Sequence, residues 1–370
     1  MHKQSISISL SNILLIATTV ALAFLLWQLR SLLVTLMISV VLAASIAPVV
    51  DWAERRRIPR WVSAVLVYLG LIAGLTGMGL IIGPTVFDQI ERLVRQLPVY
   101  SENLRSLAES LAIRLTDARP ELVREVFDAQ ALTKWTIRSS QQLVLRSYSI
   151  TRGILGGVVS LILSLFISGY MVADSRTLIN SLVRLFPAPW EERLAAQVVP
   201  VSYRMGNYIR GRLLVSSILG IGITAGLSFL GLREYSLGLG AIAAVTNLIP
   251  FLGPILGAIP ALVVSLSQGG WLFLWVFILF VVIQNLETYI LDPLLVGSSV
   301  GVHPLYQLLA VLGGVQVLGI IGALIVPPWF AGGAALVENL YLRPKIMADK
   351  RQEVARSKTT PKSATVTPST

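Results

Sequence analysis

YSLGLGAIAAVTNLIPFLGPILGAIPALVVSL, residues 235–266, is apolar and free of charge. As one straight helix it would be about 48 Å long, and a hydrocarbon core is only ~30 Å thick. It must therefore tilt steeply, break or double back. Pro250, Pro254 and Pro260 each remove a helix amide, and Gly253 and Gly257 let backbones approach closely. Backbone that leaves the helix at membrane depth survives only where it lines a cavity or is buried in protein, and broken helices of this kind hold substrates in many transporters. A proline kink used only for packing is the plain alternative. Asn247, placed just before the break, favours a site, so Asn247, Pro250, Gly253, Pro254 and Pro260 are candidate pathway residues.

Downstream, QNLETYILDPLLVGSSVGVHP spans 284–304 and ends an otherwise uncharged run with Gln284, Asn285, Glu287 and Asp292. Ionisable residues inside a membrane are costly and mark cation, proton or polar-solute sites by default. Gln284 and Glu287 are three apart and share a helix face. Asp292, five beyond Glu287 and followed by Pro293, points elsewhere and suits a turn. Gln284, Asn285 and Glu287 thus join the pathway candidates. Asp292, Pro293, Gly297, His303 and Pro304 are secondary ones, His303 being placed to open the next helix.

The rest of the chain has the same character. Of 370 residues 55% are hydrophobic and 13% charged, against roughly 25% charged in a soluble domain. Residues 4–29, 31–50 and 61–87 carry no Asp, Glu, Lys or Arg. Each is long enough to cross a membrane. Ala21-Leu22-Ala23 resembles a signal cleavage site, but the apolar run continues to Leu29, which predicts a retained anchor. The loop DWAERRRIPR, residues 51–60, holds four arginines and is expected on the cytoplasmic side.

The sequence predicts an all-α polytopic membrane protein with about eight spans. Residues 1–87 form a hairpin turning near Arg30 plus a third span. Residues 88–152, with ten basic and eight acidic residues, form an extramembrane helical insert broken at Pro98 and Pro120, with Leu104, Leu107 and Leu111 at helical spacing. Residues 153–212 supply a fourth span, at 153–173, and a basic cytoplasmic loop. The core, 213–342, holds spans at 213–232, 235–267, 271–295 and 303–326, with 235–267 re-entrant if Trp329–Leu342 crosses instead. Residues 343–370 form a basic, disordered tail, and both termini are cytoplasmic.

Several classes are excluded or unsupported. The net charge of +11 sits at span ends, where headgroups and the positive-inside rule account for it, so no nucleic-acid partner is expected. With no cysteine and only His2 and His303, no metal site or cofactor is expected either. No GxxxxGK[ST] loop or catalytic constellation is present, and no enzyme is inferred. Glycine pairs such as Gly70/Gly74 and Gly79/Gly83 have the spacing of close helix packing. Trp27, Trp52, Trp61 and Trp329 sit where interfacial anchors belong.

NLIPFLGPILGAIPALV, followed by QNLETYILDPLLVGSSVGVHPLYQLLAVLGGVQVLGIIGALIVP, resembles the autoinducer-2 exporter, or PerM-like permease, family. The resemblance is carried by Asn247, Ile249-Pro250, Gly253-Pro254 and Ile259-Pro260, then by Gln284, Leu286-Glu287, Pro293, Gly297, Val300-Gly301, His303-Pro304, Gly314 and Gly319. It is strong over 235–327 and looser elsewhere. Asp292 stands where a small or polar residue is usual, and Pro327-Pro328 before Trp329 is not the usual ending. The resemblance implies an eight-span, oligomeric permease in the inner membrane, exporting a small polar solute. A sodium or other cation/proton antiporter is the nearest rival, and a non-transporting membrane scaffold the third reading.

Overall fold

In the computed structural model, residues 10–115, 157, 159–297 and 303–359 are described, and among them all regular structure is helical. Helix α1 is Leu10–Gln28, α2 Arg30–Arg55, α3 Arg60–Leu115, α4 Val159–Ala173 and α5 Ser175–Val183. Next come α6, Trp190–Phe229, α7, Ser236–Thr246, α8, Leu252–Gln268, and α9, Gly270–Leu286. Two π-helical turns, Glu287–Leu291 and Pro293–Gly297, extend α9. Helix α10 is Pro304–Val337, and α11 is Arg343–Thr359, reached through a third π-helical turn at Glu338–Leu342.

By length and composition, five helices among the described residues can cross a membrane, or six if the α4–α5 pair, bent by 84°, counts as one span. Of the eight spans read from the sequence, α1 and 235–267 are not among these, and two apolar segments of the chain fold back on themselves. In the first, α7 and α8 are only about 16 and 25 Å long, and neither covers a ~30 Å core alone. They pack antiparallel: a Cβ on Gly253 would lie 2.1 Å from the Thr246 carbonyl oxygen, and one on Gly257 would lie 2.8 Å from Ala243 Cα. Segment 235–267 is thus a hairpin with its tip at 247–251.

The second fold-back lies inside α10. Gly319 adopts φ 66°, ψ −151°, a backbone conformation that side chains resist. Gly314 and Gly322 would be about 12 Å apart along a straight helix. Here a Cβ on Gly314 would meet the Gly322 carbonyl oxygen at 2.4 Å, and Tyr306 stacks on Phe330 with ring centroids 6.3 Å apart. The span expected at 303–326 is therefore two antiparallel arms, 304–318 and 320–337.

Other boundaries also shift. No loop separates α1 from α2: the Leu29 amide donates to Leu25 O (2.9 Å) and the Leu33 amide to Leu29 O (3.0 Å), carrying the helical ladder past Arg30 where a reversal was expected. Helix α3 runs through Pro84 and Pro98 without ending, so residues 88–115 continue the helix of the third span; the remainder of the insert, with Pro120, lies outside the described residues. Residues 190–212, expected in a basic loop, are the first half of the 40-residue α6, in which Arg and Leu are good helix formers and Pro200 alone interrupts the amide ladder. The tail is helical as far as Thr359, since Lys, Arg, Glu, Gln, Ala and Met favour helix; 360–370 lie outside the described residues.

Helix α6 is the hub, packing against α2, α5, α7, α9 and α10. One core cluster, including Leu227, Leu232, Leu239, Ala261, Val264 and Val276, ties α6 to the hairpin and to α9. Helix α3 holds the hairpin's other side. Gln89 Oε1 accepts from the Gly238 amide at 2.7 Å, satisfying a donor that the first turn of α7 leaves free. Tyr235 donates to Gln96 Oε1 at 2.8 Å. Outward-facing residues remain apolar, as with Ile81 at 79% exposure and Phe166 at 77%, which suits a hydrocarbon solvent.

Candidate functional site

Helix α6 and α9 run antiparallel, which sets Arg212, just before the charge-free run 213–232, level with Glu287 at the end of α9. The hairpin tip reaches the same place. Arg212 Nη1 donates to Glu287 Oε1 at 2.9 Å and to Asp292 Oδ1 at 3.4 Å, while Nη2 donates to Asn247 Oδ1 at 3.3 Å. Asn247 Nδ2 closes the ring by donating to Glu287 Oε1 at 3.2 Å. Arg212, Asn247 and Glu287 are only 3–4% exposed. The cluster sets one guanidinium against two carboxyl groups, a formal excess of one acid.

The tip is built by unusual backbone. Thr246 and Val245 accept from the Ile249 and Leu248 amides, and Leu252 N–H bonds Pro250 O at 2.8 Å across Phe251. Phe251 has φ 65° and ψ −46°, a tight three-residue turn that is rare and strained for a side-chain-bearing residue. Gly253 follows because nothing larger fits against Thr246. Strain at the point where a buried arginine is held suits a site that over-determines its own geometry.

Asp292 corrects the spacing argument. Five residues are about 140° apart around an α-helix, so Asp292 was expected to face away from Glu287. Residues 287–291 instead form a π-turn in which the Asp292 amide bonds Glu287 O, five residues back. That wider turn returns Asp292 to the face of Glu287, where both reach Arg212.

Among the other candidates, Gln284 and Pro254 line a small cavity of about 20 Å³ with Asn247 and Glu287. That is room for about one water. Pro250 is buried within the tip, and Gly253 packs beneath it. Pro260 lies inside α8, two turns from the break. Asn285 is not brought to the cluster: it is exposed and donates to Val281 O on its own helix. Pro293 opens the second π-turn and Gly297 closes it. His303 is an N-cap, its Nδ1 accepting from the Leu305 amide at 3.2 Å, with Pro304 at the first helical position.

Arg212 was missed, because six arginines against three acids in 174–212 read as a cytoplasmic loop. Its signal was helical period: Tyr208, Arg212, Ser216, Leu219 and Ile223 form one stripe on α6, buried throughout. Arg212 Nε and Ser216 Oγ, on that stripe, are buried without a hydrogen-bond partner. Such unpartnered groups are costly in an apolar interior. No group of three or more His, Cys, Asp or Glu residues suited to a metal ion occurs among the described residues.

These features belong to a chain with clear relatives. YrrI of Bacillus subtilis is 31% identical over 302 residues, covering 81% of this chain and 84% of the relative. YueF of the same organism is 29% identical, with 83% of each chain covered. YhhT of Escherichia coli is 21% identical over 80% of this chain and 81% of its own. Their names speak of transport and state no substrate. The model of the AI-2E family transporters matches residues 15–342, which takes in α2 through α10 with the hairpin tip and the Arg212 cluster. The chain is a multi-pass membrane protein and belongs to the AI-2E family of transporters.

Proposed function

We propose that this permease exports a small polar, uncharged or weakly charged solute across the inner membrane, along a path closed by the hairpin tip and the Arg212 cluster. The observation that carries the reading is the buried Arg212–Glu287–Asn247 ring, with Arg212 Nε and Ser216 Oγ unpartnered beside it. A polar solute can supply acceptors for those donors and take up the hydrogen bonds that the ring surrenders as the tip withdraws. Glu287, Asn247 and Gln284 would line its path, and Pro250, Gly253 and Pro254 would hold the backbone that frames it. The carboxyl terminus is then cytoplasmic, on the side that the arginine-rich loop at 51–60 suggests.

The test is efflux from sealed vesicles loaded with a panel of small polyols and hydroxyketones. A panel solute should leave faster than from protein-free vesicles, and Arg212→Leu should lower that rate at least tenfold. Equal efflux from protein and protein-free vesicles across the panel sinks the solute reading.

The excess acid favours a second reading, cation/proton antiport, with Asp292 the carboxyl group open to solvent. A pH-sensitive dye inside the vesicles decides it. Proton movement on adding sodium or potassium, lost in Glu287→Gln, supports antiport; silence in both proteins removes it.

The homo-oligomer reading rests on α3, where Gly70, Gly74 and Gly77 have no neighbour within 4 Å and leave a smooth face for another copy. Gly74→Leu should then lower the mass of the purified particle, measured by light scattering.

A further inference from the structure

Away from the Arg212 cluster, α2, α5 and α6 line two adjoining open cavities. The inner one, about 490 Å³, is walled by apolar residues, among them Val40, Ala43, Leu178, Leu182, Val198 and Met205, with Trp329 at one end. The outer one, about 660 Å³, shares Ala44, Ala47, Arg60, Ser175, Ile179 and Val198 with it and is polar at its mouth. The two therefore form a single slot, oily at depth and charged at the opening.

The charges at the opening are unequal. Asp51 and Glu54 are both engaged by Arg60, at 2.7 Å each, and Arg60 Nε also donates to Val172 O. That leaves Arg55, exposed at the mouth, and Arg176, 78% exposed and held by only one bond, to Glu54 at 3.1 Å. Arg56 and Arg57, exposed, follow in the same loop. The lining thus holds three arginines against two carboxylates, an excess of one positive charge that suits a phosphate.

Helix α5 shapes the slot. It turns 84° from α4 and so lies across the span direction, as a helix in the headgroup plane does. Its underside, Leu178, Ile179 and Leu182, roofs the apolar cavity. Leu185 and Phe186 continue the oily rim at 78% and 50% exposure. Inside, Gln197 Oε1 is buried with no partner, an acceptor for a hydroxyl or ammonium donor.

We propose that this slot is a binding site for an anionic phospholipid, one acyl chain lying between α2, α5 and α6 and the phosphate held by Arg55 and Arg176. Basic pockets between membrane helices select anionic headgroups by charge, and an apolar slot of this size accepts a hydrocarbon chain. The site is separate from the Arg212 cluster and stands whatever solute that cluster handles.

The test is native mass spectrometry of the full chain released from detergent after incubation with phosphatidylglycerol or phosphatidylcholine at equal concentration. Wild type should retain at least threefold more phosphatidylglycerol than phosphatidylcholine. The exposed pair Arg55→Gln/Arg176→Gln should lose that preference, and Ala47→Phe, which fills the slot, should lower retention of both lipids at least threefold. In a variant keeping Trp329 and carrying Phe at the other seven tryptophans, phosphatidylglycerol with brominated chains should quench Trp329 saturably. Equal retention of the two lipids by wild type overturns the proposal, as does unchanged retention after Arg55→Gln/Arg176→Gln. Should Ala47→Phe fail to fold, the arginine pair and the quenching decide alone, and absence of saturable quenching overturns the acyl-chain assignment.

Discussion

Arg212 is the residue on which the cluster depends, because it alone bonds all three of Glu287, Asp292 and Asn247. Removing one partner of a buried ion pair leaves the other charge uncompensated and costs about 3–5 kcal/mol, whereas removing both can be close to neutral. Arg212→Leu should therefore destabilise the protein by about that amount, and Arg212→Leu/Glu287→Leu by clearly less than the sum of its single variants. Reversible unfolding in mixed detergent measures both; additive effects would mean that the pair is not coupled. Asn247 and Asn285 offer a second contrast, since they are the same residue type in neighbouring motifs. Asn247→Ala should cut vesicle efflux, because it frees the tip from Arg212 and Glu287, and Asn285→Ala should leave efflux at the wild-type rate, because that amide bonds only its own helix.

The elements that matter most are the two fold-backs, and each hinges on a glycine for its own reason. Gly319 is needed for its backbone conformation, which costs a side-chain-bearing residue roughly 1–3 kcal/mol. Gly253 is needed for space, since any Cβ meets the Thr246 carbonyl, and overpacking costs about 1–3 kcal/mol. Gly319→Ala should lower stability by the first amount. Gly253→Val should lower it by the second and reduce efflux as well, because the tip carries Asn247. Helix α2 displays a milder version of the same economy. Pro48 cannot donate to Ala44 O, and Arg210 fills the gap from α6, donating to Ala44 O at 3.5 Å and Ser45 O at 2.7 Å.

For the whole molecule, the fold-back in α10 decides how many times the chain crosses. Tyr306 and Phe330 are 24 residues apart, about 36 Å along an unbroken helix, yet their rings stack. The chain has no cysteine, so Tyr306→Cys/Phe330→Cys introduces the sole thiols. A bis-maleimide with a spacer of roughly 10 Å should bridge them within one chain, detected as a single added linker mass with both thiols consumed; a straight helix would leave each thiol separately modified. The same arrangement explains the position of Trp329. Read as an interfacial anchor, it instead faces the slot between α2 and α6 and donates Nε1 to Met37 O at 3.3 Å, because the second arm of α10 returns it to α2.

The amino-acid sequence by itself determined the solvent of this protein, its helical class and the motif that carries its family. Those follow from composition and from charge-free runs, which are local properties that the bilayer reads directly. It also marked 235–266 as a broken segment and Asn247, Gln284 and Glu287 as polar residues worth a role. Only the tertiary structure decided that the break is a hairpin, that α10 folds at Gly319, and that Arg212 meets Glu287 from 75 positions away. Charge counts cannot distinguish an arginine that ends a loop from one that continues a helix into the core. A five-residue spacing cannot reveal a π-turn, because that depends on which backbone bonds the surrounding helices allow Glu287 and Asp292 to make.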